Sequence, residues 1–433
     1  MGSYEAVKVR LDPTPRQERL MASHAGAARF AYNAGLAHVK EALDNGEPAD
    51  WSHYSLRRWW NENKDELAVN KTTGEVWWSQ NSKESYSGGL RSLAQGLSNW
   101  SKSRKGQRKG KRVGFPRFKS KNTVMRFAYS TGFTAPTAGD PYGLKLPRIG
   151  RVHCMENVYD RVNGARLVRI TVSRRAGNWC ASLTVEREQP SSPAHTLKRG
   201  AVGVDLGVKN LATLSDGTVI PNPRALSSKL RTLRKAQKAL SRKVKGSARR
   251  EKARERVARL YARVADVRAD VINKATTMIT RTYSVVCVED LNVAGMVKNH
   301  SLARSLSDAS LGEFRRQLEY KTARTGAVLR VVDRWFPSSK TCSNCGVVKA
   351  KLPLSERTFN CNDCGLSIDR DLNAAINIEV AGSAPEMLNA RGGDVRRTVG
   401  NAVPGEARTK QAQKSAVRLG AGLGNEAMRP RIN

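Results

Sequence analysis

The chain changes its hydrophobic period several times. Residues 4–11 alternate apolar and polar positions, the pattern of a strand with one buried face. A helical period then runs from Thr14 to about Trp100, with apolar positions such as Leu20, Ala27, Phe30, Ala31 and Ala34. Its start is punctuated: Thr14 can cap a helix, Pro15 suits the first turn and Gln17 completes a capping box. From about residue 124 to 198 the period returns to two. Residues 124–130, 144–146, 167–172 and 179–185 read as strands with Gly and Pro between them. If residues 4–11 pair with these, the helical stretch is an insertion in a small β-barrel.

A second architecture starts at Ala201. Residues 201–206, 211–214 and 218–220 predict three strands, with Asp216-Gly217 as a hairpin turn. Two long basic helices follow, broken near Gly246-Ser247. The second spaces Ala253, Val257, Leu260, Val264, Val267, Val271 and Ala275 by fours and threes, a coiled-coil-like seam. Its other faces carry Arg254, Arg256, Arg259, Arg263 and Arg268, candidate contacts for RNA or DNA. Residues 283–288 predict a buried strand, 311–324 a helix, 327–332 a strand and 372–380 a helix rich in Ala and Asn. From about Gly382 the chain is rich in Gly, Ala and Arg without periodicity, which predicts a disordered tail.

Charge narrows the partners. Across 433 residues, 76 Lys and Arg face 38 Asp and Glu, a formal net charge of +38. Repulsion on that scale opposes compaction unless a polyanion screens it, and nucleic acid does so through phosphate contacts. No apolar run approaches the roughly 20 residues that span a bilayer, and the N-terminus has no signal-peptide hydrophobic region. A cytoplasmic, nucleoid-associated protein is expected. Residues 102–121 hold ten basic residues and no acid, with Phe115 and Phe118 interleaved, a segment suited to ordering on a phosphate backbone. Six of the eight Trp fall in the helical stretch, either as base-stacking platforms or as packing between short helices.

Seven cysteines fall into two groups. Cys154, Cys180 and Cys287 are scattered and read as free thiols. Cys342-x-x-Cys345 and Cys361-x-x-Cys364 are separated by fifteen residues, with Gly346 and Gly365 after the pairs. Two such knuckles suit one tetrahedral Zn²⁺. Four thiolates leave no position for water, so this zinc is structural.

Three short acidic motifs carry the remaining chemistry. Asp205 lies in Gly203-Val204-Asp205-Leu206-Gly207, Glu289 in Val286-Cys287-Val288-Glu289-Asp290, and Asp371 in Asp369-Arg370-Asp371-Leu372-Asn373. Two strand acids and one acid at a helix start are how a ribonuclease H-like sheet gathers carboxylates for two Mg²⁺ ions, which prefer hard oxygen ligands. Each acid also has a plain reading: a turn residue for Asp205, an Arg partner for Glu289, a helix cap for Asp371. Glu289 and Asp290 point to opposite strand faces, and periodicity leaves open which faces the metals. Asp369 and Asp371 are equally unresolved by spacing.

The motifs together resemble the TnpB family, transposon-encoded RNA-guided endonucleases ancestral to the type V CRISPR effectors. The resemblance covers most of residues 1–381. It is carried by Leu11-x-Pro13-Thr14-Pro15-x-Gln17, Arg29-Phe30-Ala31-Tyr32-Asn33, Gly114-Phe115-Pro116-Arg117-Phe118-Lys119, Pro337-Ser338-Ser339-Lys340-Thr341-Cys342, the cysteine knuckles, and Asp369-Arg370-Asp371-Leu372-Asn373-Ala374-Ala375. It implies a multidomain α/β protein: a wedge β-barrel (residues 1–14 and 124–199) with an inserted helical recognition domain (15–123), then a RuvC nuclease domain (200–340 and 365–381) interrupted by a zinc ribbon for target loading (341–364), and a tail (382–433). It implies Asp205, Glu289 and Asp371 as the catalytic acids, choosing Asp371 over Asp369. It implies a guide RNA, a double-stranded DNA target with a short adjacent motif, one protein monomer per RNA, and cleavage of both strands at one site. A strand-transferring transposase, a junction resolvase, a guide-dependent repressor without cleavage and a compact CRISPR effector are the competing readings.

Overall fold

The computed structural model describes residues 3–121, 124–187, 199–353 and 355–383. The expected tail, from residue 384 onward, lies outside the described residues.

Strand β1 (Ser3–Asp12) leads into α1 (Pro15–Asp44). The helix starts where the sequence places it: the Gln17 amide donates to Thr14 Oγ1 at 3.3 Å, and the Thr14 amide donates to Gln17 Oε1 at 3.0 Å. Helices α2 (His53–Leu67) and α3 (Lys83–Arg104) pack on α1 around Ala31, Leu36, Leu56, Leu90 and Leu97. The tryptophans belong to this packing. Trp60 stacks on Tyr86 at 5.0 Å, Trp77 meets the edge of Phe30 at 4.9 Å, and Trp59 stacks on His38 at 4.5 Å. Of the basic segment's two phenylalanines, Phe115 docks on Trp100 at 4.9 Å while Phe118 stays exposed.

Five more strands complete the first sheet: β2 (Arg126–Tyr129), β3 (Gly143–Leu146), β4 (Gly150–Cys154), β5 (Arg166–Arg175) and β6 (Asn178–Arg187), with the short helix α4 (Val158–Val162) before β5. The order is β2-β5-β6-β1-β4-β3. β1 lies antiparallel to β6 from Ser3↔Arg187 to Arg10↔Cys180 and touches β4 at Leu11↔Cys154. The helices are thus inserted between β1 and β2. Among the described residues the sheet is open, with the four-residue strands β2 and β3 at its edges. The expected barrel is a curled half-barrel closed over Val9, Phe127, Ile170, Trp179 and Leu183. The Tyr129 hydroxyl bridges the two edges by donating to the Pro147 carbonyl at 3.1 Å.

The second sheet contains β7 (Arg199–Leu206), β8 (Asn210–Leu214) and β9 (Val219–Pro221). Helices α5 (Ala225–Ser241) and α6 (Ala248–Thr282) form a hairpin before β10 (Tyr283–Glu289). Then come α7 (Val293–Met296), α8 (Ala303–Ala309), α9 (Leu311–Thr325) and β11 (Val328–Val332). The sheet order is β11-β10-β7-β8-β9, with β7, β10 and β11 parallel and β7-β8-β9 an antiparallel meander. Val202, Val204, Val286 and Val288 face α6 and α9, meeting Ile272, Ile279, Phe314 and Leu318. A two-stranded ribbon, β12 (Thr358–Asn360) and β13 (Ser367–Asp369), precedes the last helix, α10 (Arg370–Ser383), which covers the opposite face.

The seam expected on α6 is only partly formed. Val264 packs on α5 through Leu233 and Ala225, whereas Val267 is exposed, because α6 there leaves α5 and turns its buried face to α9 and the sheet. Arg268 is likewise corrected: it is not a free basic side chain but an ion-pair partner of buried Asp308 at 3.0 Å. The same carboxylate accepts the Leu226 and Ser227 amides at the start of α5.

Candidate active site and zinc-binding module

Asp205 and Glu289 end two adjacent parallel strands. The register Val288↔Val204 sets them side by side, on the same face as Gly203 and Cys287. That face belongs to α10. A Cβ on Gly203 would lie 1.9 Å from the Ala375 carbonyl oxygen, so only glycine admits the helix backbone so close. One turn before Ala375 stands Asp371, and two residues beyond Gly203 stands Asp205. A helical turn rises about 5.4 Å and two strand residues about 6.6 Å, so the close approach at Gly203 carries the first turn of α10 toward Asp205.

Burial, then the Glu289 carboxylate, then that of Asp371 push Asp205 up to about 8, with Arg370 pulling the other way. Burial also raises Glu289, opposed by the hydroxyl of Ser338, which donates to Glu289 Oε1. Among the described residues none of the three acids is in an ion pair. The three carboxylates are not drawn within 4.8 Å of one another; the four cysteines are. Hard oxygen ligands held without a guanidinium suit Mg²⁺, and a pair of ions about 3.5–4 Å apart needs a wider cradle than one ion does.

The neighbouring acids have other occupations. Asp290 is paired with Arg315 at 2.5 Å and with Arg334, and these two hold its carboxyl below the usual range. The Asp369 carboxylate accepts the Asp371 amide at 2.9 Å and the Leu372 amide at 3.2 Å, so the helix cap considered for Asp371 falls to Asp369.

The cysteines form two matching knuckles. The Gly346 amide donates to Cys342 O at 2.9 Å and the Gly365 amide to Cys361 O at 3.1 Å. Both glycines have positive φ, +80° and +72°. Cys342 and Cys364 sulfurs are 3.6 Å apart, as are those of Cys345 and Cys361. Zn–S bonds of about 2.3 Å in a tetrahedron put sulfurs about 3.8 Å apart, so the cluster fits one zinc ion. Cys154, Cys180 and Cys287 are free thiols.

Three positioning residues escaped the sequence reading as individuals. Asn373 of α10, fully buried, donates to Thr341 O at 2.7 Å and accepts the Ser343 amide at 3.0 Å. Asn377, one turn on, donates to Ser338 O at 2.8 Å and Thr341 O at 2.7 Å. Ser338 in turn holds Glu289. One face of α10 therefore fixes the chain leading into the knuckles and, through Ser338, a strand acid. Their only signal was an Ala- and Asn-rich helix and a Ser-Ser pair before the first cysteine.

Three family models match parts of this chain. Residues 182–300 match a family described as "Probable transposase" (OrfB of IS605), residues 312–378 match the Cas12f1-like TNB domain, and residues 1–47 match a family described as a helix-turn-helix domain. In this chain that last stretch is β1 and the single helix α1. A Mycobacterium tuberculosis H37Rv protein named "Putative RNA-guided DNA endonuclease" is 38% identical, covering 95% of this chain and 94% of its own length. A Streptomyces pristinaespiralis protein of the same name is 36% identical, covering 95% and 96%. InsQ of Escherichia coli K12, also so named, is 31% identical, covering 89% and 94%. A solved Cas12f1–sgRNA–target DNA complex aligns with 15% identity and a TM-score of 0.45 over 87% of this chain and 99% of that one. By its identity with these relatives over nearly their whole length, the chain belongs to the TnpB family, the OrfB group of IS605.

Proposed function

We propose that the protein is an RNA-guided DNA endonuclease whose second sheet is a ribonuclease H-like, RuvC-type nuclease domain. What carries this is the side-by-side register of Asp205 and Glu289, with the close approach of α10 at Gly203 and the electrostatic reach of Asp371 to Asp205 in support. The strand order supports it: a three-stranded meander followed by two parallel strands is the ribonuclease H arrangement. Asp205, Glu289 and Asp371 would hold two Mg²⁺, whose chemistry is to lower the pKa of the attacking water and to stabilise the leaving 3′ oxygen. The chain's own work is positional. Ser338 fixes Glu289, Asp369 caps the helix that presents Asp371, and Arg315 with Arg334 keeps Asp290 out of the site.

A guide RNA would carry sequence specificity by pairing with the target strand, and the protein would read a short motif in the adjacent duplex. The half-barrel would act as the wedge domain, helices α1–α3 as the recognition domain, and the zinc ribbon as the target-loading module. One site would cut both strands in turn, with one protein monomer on each RNA. The test is cleavage of a plasmid carrying the guide-matched target. Asp205→Ala should abolish it while RNA co-purification persists; undiminished cutting would remove Asp205 from the site. A strand-transfer assay on transposon ends separates the transposase reading, which predicts joined products rather than breaks.

A further inference from the structure

Two motifs singled out in the sequence, Arg29-Phe30-Ala31-Tyr32-Asn33 and Gly114-Phe115-Pro116-Arg117-Phe118-Lys119, lie far apart in the chain and have no part in the nuclease site. In the fold they meet. Asn33 grips Lys119 at both ends of its backbone: the Lys119 amide donates to Asn33 Oδ1 at 2.8 Å, and Asn33 Nδ2 donates to Lys119 O at 3.0 Å. The Lys119 ammonium sits 3.5 Å from the centre of the Tyr32 ring. Beside them a cavity of about 200 Å³ opens between α1, α3, β2 and β5. Arg29, Lys119, Arg126 and Arg169 line it, each from a different segment, and no described acidic side chain does. The α3 wall is made of small residues, Gly88, Gly89 and Ser92, with Gly89 set close against the Ala28 backbone of α1.

Among the described residues none of the four cations is in an ion pair, and the Nε of Arg169 is buried without a hydrogen-bond partner. Glu84 is the acid within electrostatic reach of Arg169, and its carboxylate accepts the Ser130 amide at 3.0 Å. Burial and Arg126 push Lys119 down to about 8; burial, Arg91 and Arg126 lower Arg169. A buried guanidinium donor with nothing to bond, among like charges, is unfavourable unless an anion joins it. The volume is several times the roughly 30 Å³ of a water, room for a tetrahedral oxyanion.

We propose that this cavity is a phosphate site, holding one phosphodiester of a bound nucleic acid between the helical unit and the half-barrel. Guanidinium forks from two strands and one helix, with an ammonium from the basic loop, match a phosphate's several acceptor oxygens. The proposal rests on the nucleic-acid reading above for the owner of the phosphate, and on nothing in the nuclease site.

Arg169→Met tests it in a direction that a structural arginine would not follow. Without ligand the variant should melt at or above the wild-type temperature, since a half-buried guanidinium with an unbonded, buried Nε is gone. Inorganic phosphate, against chloride at equal ionic strength, should raise the melting temperature of the wild type and not of the variant. Titrations of a labelled single-stranded RNA and a labelled DNA duplex over a range of salt assign the owner. The slope of log affinity against log salt should become shallower by about 1 with the nucleic acid that occupies the site. Arg126→Gln, an exposed position, should shift the same slope. A lower melting temperature with an unchanged phosphate response in Arg169→Met, or unchanged slopes with both nucleic acids in both variants, would overturn the proposal.

Discussion

Asp205 sits at about 8, above the ordinary carboxylate value of 3.8. The folded protein therefore holds this proton more tightly than the unfolded chain does. The resulting stability is complete below about pH 4 and is lost as pH rises through about 8. Asp205→Asn is neutral throughout. Its stability relative to the wild type, measured by urea unfolding without divalent metal, should rise between roughly pH 5 and 8, by on the order of 4 kcal/mol. Mg²⁺ should raise the wild-type melting temperature more at the upper end of that range than at the lower, and the Asn variant should not show the difference. Ser338→Ala leaves Glu289 without its hydroxyl partner. It should raise the Mg²⁺ concentration that cleavage requires by about 10–100-fold while changing stability by only about 1 kcal/mol. At this scale the acids were legible as types and order but not as neighbours. Asp290 and Asp369 differ from Glu289 and Asp371 through partners such as Arg315 and Arg334, and through the turn that starts α10. Arg268 read as a basic surface residue because its partner, Asp308, lies 40 positions away.

The elements were legible where their signals are local. The Thr14–Gln17 box announced α1, and the knuckle glycines announced the zinc turns, because each is settled within four residues. β4 went unread because only Val152 and Cys154 turn inward, and the central place of β1 in the half-barrel depends on pairings more than a hundred residues apart. Gly203 marks a tight contact between β7 and α10. Gly203→Ala must displace α10 from β7 and should lose stability at the upper end of about 1–3 kcal/mol. Gly200→Ala, on the same strand with open space at its Cβ, should be neutral or slightly stabilising. Unfolding by chemical denaturant distinguishes the two. Zinc removal by a chelator should release one ion per chain, counted by a colorimetric dye, and should raise hydrogen exchange along α10, whose Asn373 and Asn377 bind the chain beside the first knuckle.

Over the whole molecule, charge governs. A net +38 makes the compact apo state self-repelling, so its melting temperature should climb as sodium chloride rises from low concentration. Affinity for nucleic acid should move oppositely, falling about 10³–10⁵-fold between 50 and 200 mM salt if some six to ten phosphates are held. Titration with a labelled duplex checks both sign and slope. No helix among the described residues is long and apolar enough to cross a membrane. The two-sheet organisation was visible as a change of period at Ala201, but its assembly was not, because α10 returns to β7 after the intervening ribbon.

That return has an engineering consequence. Thr341, just before the first knuckle, and Asn373, just after the second, touch through a 2.7 Å hydrogen bond. The segment between them leaves the chain beyond β11 and rejoins it on α10 beside that one hydrogen bond. It is a cassette: its length and metal chemistry can be exchanged without lengthening any path through the sheet, provided Thr341, Asp369, Asn373 and Asn377 keep their places. A foreign loop grafted between those anchors should leave the carboxylates of Asp205, Glu289 and Asp371 in register.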